Sequence, residues 1–278
     1  MRGLRTRAIS AVIFVALIVG GLLGGRYSFL ALFTVVTAVC LVEFFKMVLD
    51  RYKRRDRVRI GLGVVFGLVP HLIASSVLLG FMPKREDLLL AVVLLVFPLL
   101  FMMFVYELFA GGRYPFENVA MMVTGMVYIG APFAMLDFIA YHTGDFDWQV
   151  VLGVLLLTWL ADTGAYLAGS NFGRRPLFAR ISPNKTWEGF IGGTILVLVS
   201  SQVLAYLFPV LRTVDWFVIA IIVSVFGALG DLVESMLKRS MAIKDSGTIL
   251  PGHGGLLDRF DAFIFLLPFV AAYLIFIR

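Results

Sequence analysis

Two aspartates, an arginine and a histidine stand directly against an apolar run in GHGGLLDRFDAFIFLLPF, residues 252–269. Asp258 and Asp261 are three residues apart, so in a helix both carboxylates share a face. A helix N-terminus attracts carboxylates, and that accounts for one acid. It does not account for a pair preceded by His253, Gly254 and Gly255. Paired carboxylates beside glycine backbone suit a hard cation: Mg2+ takes one or two carboxylates, keeps waters and bridges to phosphates. Bare glycine amides next to it can cradle anionic oxygens.

A second set lies just upstream. Asp231, Glu234 and Lys238 in GDLVESMLKR are spaced i, i+3, i+7 and fall on one helical face. Asp231 precedes Lys238 by seven residues, about 10 Å along a helix. An ionised side chain at the centre of a membrane span costs roughly 2.5–3.5 kcal/mol, so such residues normally face an interior or a wet cavity and have partners. Asp162 in WLADTGAY raises the same point. A polar cavity shared with Asp231 and a purely structural, hydrogen-bonded aspartate both account for it. Lys238, Arg239 and Lys244 precede the glycines, and Arg174, Arg175, Arg180 and Lys185 occupy another polar stretch, NFGRRPLFARISPNKTWEG (171–189). Clustered cations beside metal-binding acids make a site for a polyphosphate. In SPNKTWEG the hydroxyls of Ser182 and Thr186 flank Lys185, with Glu188 following, although helix capping alone would explain either hydroxyl. There is no G-x-x-x-x-G-K-[ST], so the stretch is not a P-loop.

The elements that must position these residues are apolar. Of 278 residues 60% are hydrophobic and only 15% charged, with mean hydropathy +0.96; soluble domains sit nearer 45–50% apolar. The apolar blocks are about twice the roughly ten-residue segments of an outer-membrane barrel and do not alternate. The fold class expected is therefore all-α and polytopic, because a helix satisfies its own backbone in lipid. About 20 residues cross the hydrocarbon, and nine blocks qualify, near 8–24, 28–49, 60–82, 87–109, 117–141, 149–169, 187–208, 214–237 and 260–277. The first follows MRGLRTR and is read as a retained helix rather than a cleaved signal, since no A-x-A-like site follows. With the N-terminus inside, cytoplasmic segments hold eighteen Lys and Arg against five on the other side. That is a positive-inside pattern. It explains the net charge of +6 without nucleic acid, puts the C-terminus outside, and opens the polar cavity to the cytoplasmic side.

Residues 1–145 read as generic spans suited to packing or dimerisation, and 146–278 as the region that carries the chemistry. The basic loop DRYKRRDRVR (50–59) reads as a topology signal that also attracts anionic headgroups. Glu43 and Lys46 read as a local i, i+3 ion pair, His71 as a satisfied interior histidine, and the lone Cys40 as a packing residue.

SMLKRSMAIKDSGTILPGHGGLLDRFD (235–261) resembles the signature of the phosphatidate cytidylyltransferases, also called CDP-diacylglycerol synthases. That signature runs Ser, Lys-Arg, four residues, Lys-Asp, a small residue, an apolar-Pro pair, His-Gly-Gly and Asp-Arg-x-Asp, and every fixed position is present. GD at 230–231, SPNKTWEG and ADTGAY resemble secondary motifs of the family, so the likeness covers roughly residues 155–265. It implies a reaction in which CTP and phosphatidic acid give CDP-diacylglycerol and pyrophosphate with Mg2+, a second cation being left open. It also implies a multi-pass enzyme of the bacterial inner membrane, in contact with membrane lipids, often a homodimer, with its site facing the cytoplasm. On this reading Asp231, Asp258 and Asp261 hold the metal, and Lys238, Arg239 and Lys244 act on the triphosphate with His253, Gly254 and Gly255. Ser182, Lys185 and Thr186 contact a substrate phosphate, most naturally that of the lipid, with Glu188 orienting Lys185; Asp162 and Arg259 complete the substrate site. Two other readings compete: a CTP-dependent lipid kinase of the polyprenol-kinase type, which would release CDP, and a cation or proton transporter using Asp162 and Asp231.

Overall fold

In this computed structural model the described residues are 2–49, 57–81, 85–249 and 254–277. The chain is mostly helical. Helices α1 (Arg2–Leu23), α2 (Arg26–Leu49), α3 (Arg57–Leu78) and α4 (Arg85–Ala110) come first. A long helix follows in two parts, α5 (Pro115–Gly125) and α6 (Ala131–Ala140), joined by a π-helical turn at Met126–Gly130. Then come α7 (Trp148–Phe172), a short hairpin of β1 (Pro176–Phe178) and β2 (Ser182–Thr186), and α8 (Trp187–Leu207). Helices α9 (Thr213–Ile222) and α10 (Ala228–Ser240) are again joined by a π turn, Val223–Gly227, and α11 (Leu257–Ala272) runs into another, Tyr273–Ile277.

Eight helical stretches among the described residues are long and apolar enough to cross a membrane, from Arg26–Leu49 to Leu257–Phe276. They correspond to eight of the nine expected blocks. The first block falls in α1, whose apolar part, Ile9–Leu23, is shorter. The architecture is that of a helical, multi-pass membrane protein. Among the described residues a short hairpin departs from helix, with Pro176 paired to Thr186 and Phe178 to Ser182.

The chain divides into two compact units, one of Met1–Phe138 with Asp245–Asp258, the other of Ile139–Lys244 with Arg259–Arg278. In the first unit α2 and α3 pack closely because glycine removes the side chain where they meet: a methyl at Gly63 would lie 2.9 Å from the Phe45 ring, and one at Gly67 2.6 Å from Leu41. The aromatic core includes Phe29, Phe33, Phe44, Phe45, Phe66 and Phe133. Two polar clusters lie inside it, where an unpaired charge would be costly. His71 is held at Nε2 by Thr34 Oγ1 (2.9 Å) and at Nδ1 by Asp137 (2.8 Å), which also accepts from Ser75 (3.3 Å). Arg59 is bidentate on Glu107, which also accepts from Asn118 (3.1 Å).

In the second unit α7 and α8 pack backbone against backbone. A methyl at Gly193 would come 2.7 Å from the Ala161 carbonyl oxygen, one at Gly189 2.8 Å from that of Ala165, and one at Gly164 3.0 Å from Gly193 Cα. Small residues at such spacing are what lets membrane helices approach closely. At the start of α9, Arg212 grips Asp215 through two nitrogens (3.0 and 3.1 Å), and Tyr273 donates to the same carboxylate (2.8 Å).

Candidate active site

Helix α10 carries the acids and α11 lies against it. A methyl at Gly230 would meet the Phe265 side chain and stand 3.1 Å from the Asp261 carbonyl oxygen, so glycine allows the contact that brings Asp231 towards Asp261. The Asp261 carboxylate lies within electrostatic range of Asp231, Glu234 and Asp162. Asp162, on α7, feels Asp231, Lys185 and Arg259. Four carboxylates thus share one region of the second unit, and cations offset them. Lys185, projected from β2, forms an ion pair with Asp231, the two side chains being 30% and 31% exposed. Lys238 pairs with Glu234 one turn below it on α10, where Glu234 is wholly buried. The i, i+3, i+7 face read from the sequence is therefore occupied by an acid at the depth of Lys185 and a buried ion pair nearer the helix end.

The hairpin explains how Lys185 gets there. Thr186 caps α8, accepting from the Gly189 amide at 3.2 Å, and its extended backbone turns the chain from strand into helix. Glu188 follows in the first turn of α8. Its Oε2 accepts from the amides of Arg174 (3.0 Å) and Arg175 (3.2 Å), so the carboxylate expected to orient Lys185 instead pins the strand entry, while Asp231 engages Lys185. Ser182 lies at the other end of β2, paired with Phe178. Arg239, Lys244 and Arg259 are exposed.

The signature segment in the first unit is organised by a carboxylate of its own. Asp258 accepts from the Ser246 amide (3.0 and 3.2 Å) and from the Gly255 amide (2.8 Å). Gly254 sits at φ +83°, where other side chains are strained, and a methyl there would lie 2.7 Å from Asp258 Oδ2. His253 lies outside the described residues. A second carboxylate reaches the segment, and the sequence did not announce it. Glu43 on α2 is 2% exposed and accepts from the Leu257 amide at 2.8 Å and from Ser246 Oγ at 3.4 Å. The expected pairing of Glu43 with Lys46 gives way to these bonds, and Lys46 is exposed.

Among the described residues no three or more His, Cys, Asp or Glu side chains are gathered so as to hold a metal ion. The donors do fit Mg2+ in kind. Asp162, Asp231 and Asp261 offer only hard carboxylate oxygens, and Asp231 already holds a cation, the ammonium of Lys185.

A family model described as "Cytidylyltransferase family" matches residues 5–277. The chain belongs to the cytidylyltransferase family. The match takes in α1 to α4, whose sequence reads as generic apolar spans, and so extends well beyond the motif-bearing half. The chain is 36% identical over 273 residues to a Staphylococcus saprophyticus protein named phosphatidate cytidylyltransferase, covering 97% of each. It is 33% identical over 277 residues to a protein of the same name from Staphylococcus aureus, covering 98% of this chain and 99% of the relative. Against the Staphylococcus haemolyticus protein of that name, identity reaches 42% over 177 residues, 63% of this chain and 66% of the relative.

Proposed function

We propose that this cytidylyltransferase-family chain transfers the cytidylyl group of CTP to phosphatidic acid, giving CDP-diacylglycerol and pyrophosphate for phospholipid biosynthesis. The observation that carries the reading is the full-length likeness to proteins named phosphatidate cytidylyltransferase. The carboxylate–lysine cluster in the second unit suits that chemistry. A phosphatidate phosphate oxygen attacks the α-phosphorus of CTP. The new P–O bond forms as the bond to the bridging oxygen breaks, and the electron pair leaves with pyrophosphate. The nucleophile is an ionised phosphate, so no base is required, and the work is positioning and charge neutralisation.

Asp231 and Asp261 would hold Mg2+, with Asp258 directly or through water; the ion supplies Lewis-acid polarisation and offsets the repulsion of two anionic substrates. Lys238, Arg239, Lys244 and His253, with the Gly254 amide, take the triphosphate and the leaving pyrophosphate; the Gly255 amide, expected to join them, is held by Asp258 and shapes the turn instead. Lys185, with Ser182 and Thr186, meets the lipid phosphate beside Asp162 and Arg259, and Glu188 holds the hairpin that delivers it. Nine spans with a cytoplasmic N-terminus, a cavity open to the cytoplasm, placement in a bacterial inner membrane and a homodimeric assembly complete the proposal; the positive-inside pattern supports the orientation.

The test is turnover of [α-32P]CTP with phosphatidic acid in mixed micelles. Labelled lipid and unlabelled pyrophosphate are expected. Labelled CDP would instead make the protein a lipid kinase, and absence of turnover with Mg2+ present would favour transport.

A further inference from the structure

The buried carboxylate of Glu43 has no place in the chemistry above, yet one of its oxygens is built into the signature segment, while Oε1 is buried with no hydrogen-bond partner among the described residues. Its Oε2 receives the Leu257 amide at 2.8 Å, and Leu257 opens α11, so this amide is one of the donors a helix leaves without an intrahelical acceptor. The same oxygen accepts from Ser246 Oγ at 3.4 Å. Two glycines make room for it. A methyl at Gly255 would stand 2.6 Å from Glu43 Oε2, and one at Gly247 would overlap Oε1. Glu43 and Asp258 therefore divide the segment's donors. Asp258 takes the Ser246 and Gly255 amides, and Glu43 takes the Ser246 hydroxyl and the Leu257 amide.

A carboxylate 2% exposed in an apolar helix is costly unless it has partners, and Glu43 finds them at Oε2. As a mere surface ion pair it would point outward with Lys46. Its partners instead lie more than 200 residues away, all within Asp245–Asp258. That segment contains the Gly254 amide assigned to the nucleotide phosphates.

We propose that Glu43 is a positioning residue for nucleotide binding: it is the template against which residues 245–249 and 254–258 are held, and it fixes where the Gly254 amide points. It touches no substrate and acts through the segment. The proposal rests on the cytidylyl-transfer reading for its kinetic consequence and on the fold alone for its structural one.

The experiment pairs kinetics with hydrogen–deuterium exchange of the full-length protein in detergent, for Glu43→Ala and Glu43→Gln. In Glu43→Ala the Leu257 amide loses its acceptor, and KM for CTP should rise about tenfold, the scale of one buried unsatisfied group. The KM for phosphatidic acid, as surface mole fraction, should stay within twofold. Amides of 245–249 and 254–258 should exchange faster, with α2 and α3 unchanged. Glu43→Gln keeps a carbonyl for the Leu257 amide, so its KM for CTP should rise only about threefold, the scale of one weakened hydrogen bond; this variant also serves if the alanine protein fails to fold. Wild-type KM for CTP in both variants overturns the proposal. So does faster exchange spread through α2 and α3, which would make Glu43 a general stability residue. If the wild-type protein makes no CDP-diacylglycerol, the proposed function fails, while the exchange pattern, which needs no substrate, still decides the role of Glu43.

Discussion

Gly193→Ala tests whether the backbone contact of α7 with α8 sets the position of Asp162. The added methyl would stand 2.7 Å from the Ala161 carbonyl oxygen and 3.3 Å from the Ala165 amide nitrogen. Both neighbours are backbone, so no rotamer change relieves the overlap. Ordinary contact begins near 3.4 Å, and the helices must part by roughly 0.7 Å to reach it. Overpacking of this kind costs about 1–3 kcal/mol, against which alanine regains up to about 1 kcal/mol of helix propensity over glycine. A net loss of about 1–2 kcal/mol should lower the melting temperature by roughly 2–6 °C. Asp162 immediately follows Ala161, so the displacement is passed straight to the site. A misplacement approaching 1 Å can cost about a hundredfold in rate; for this smaller shift a loss of about tenfold in turnover of labelled CTP is expected. Gly20→Ala is the matched control, because a methyl at Gly20 meets nothing within 4 Å. It should melt no lower than wild type. If Gly193→Ala kept both its melting temperature and its turnover, the claim that close backbone packing places Asp162 would be wrong.

Three further outcomes follow from the same geometry. Lys185→Met removes the cation from Asp231; the pair is about one-third exposed, so the full interaction is screened and a loss of roughly tenfold in kcat/KM is expected. It should appear more in the surface KM for phosphatidic acid than in that for CTP; the reverse split would move the hairpin to the nucleotide, and no change would leave β2 a purely structural role. Asp261→Asn keeps shape but removes charge, and should lose at least about a hundredfold in rate at saturating Mg2+; near-normal turnover would take Asp261 out of the site. His71→Ala strips the imidazole from the fully buried Asp137 and should destabilise by about 3 kcal/mol, read as a lower melting temperature with unchanged KM values, whereas the double variant His71→Leu/Asp137→Leu should recover part of the loss.

The spans were legible because hydrophobic blocks of that length have one stable use, and Asp162, Asp231 and Asp261 stood out because their setting makes a charge costly. The pairing of Lys185 with Asp231 was not legible. Both were singled out, but 46 positions separate them, and the link depends on a hairpin whose strands of three and five residues leave no alternating pattern to detect. Glu188 misled for a related reason: proximity in sequence suggested Lys185, whereas strand pairing turned it to the Arg174 and Arg175 amides. Glu43 was hidden by a plausible neighbour. An acid three residues from a lysine near a helix end looks like a surface pair, and only the folded chain shows that its acceptors serve Ser246 and Leu257. The buried partner of His71 escaped because Asp137 lies in a different helix, at no fixed interval from it.

The π turn at Val223–Gly227 has a consequence for how the acid face of α10 is aimed. Such a turn contains one residue more than regular helix needs. Everything after it is therefore set back by about 100° around the axis from where regular helix of the same residue count would place it. Asp231, Glu234 and Lys238 are out of phase with Asp215 and Trp216 at the start of the same span. Their heading is set by a count of residues, not by any side chain in the turn. Wound as regular helix, the same residues from Val223 to Gly227 would carry all three side chains about 100° further around the axis. A one-residue deletion inside the turn would restore regular helix and leave the three facing as they do, whereas a one-residue deletion elsewhere in the span would swing them away. In that second case no acid or lysine would be lost, yet none would face where it faces now.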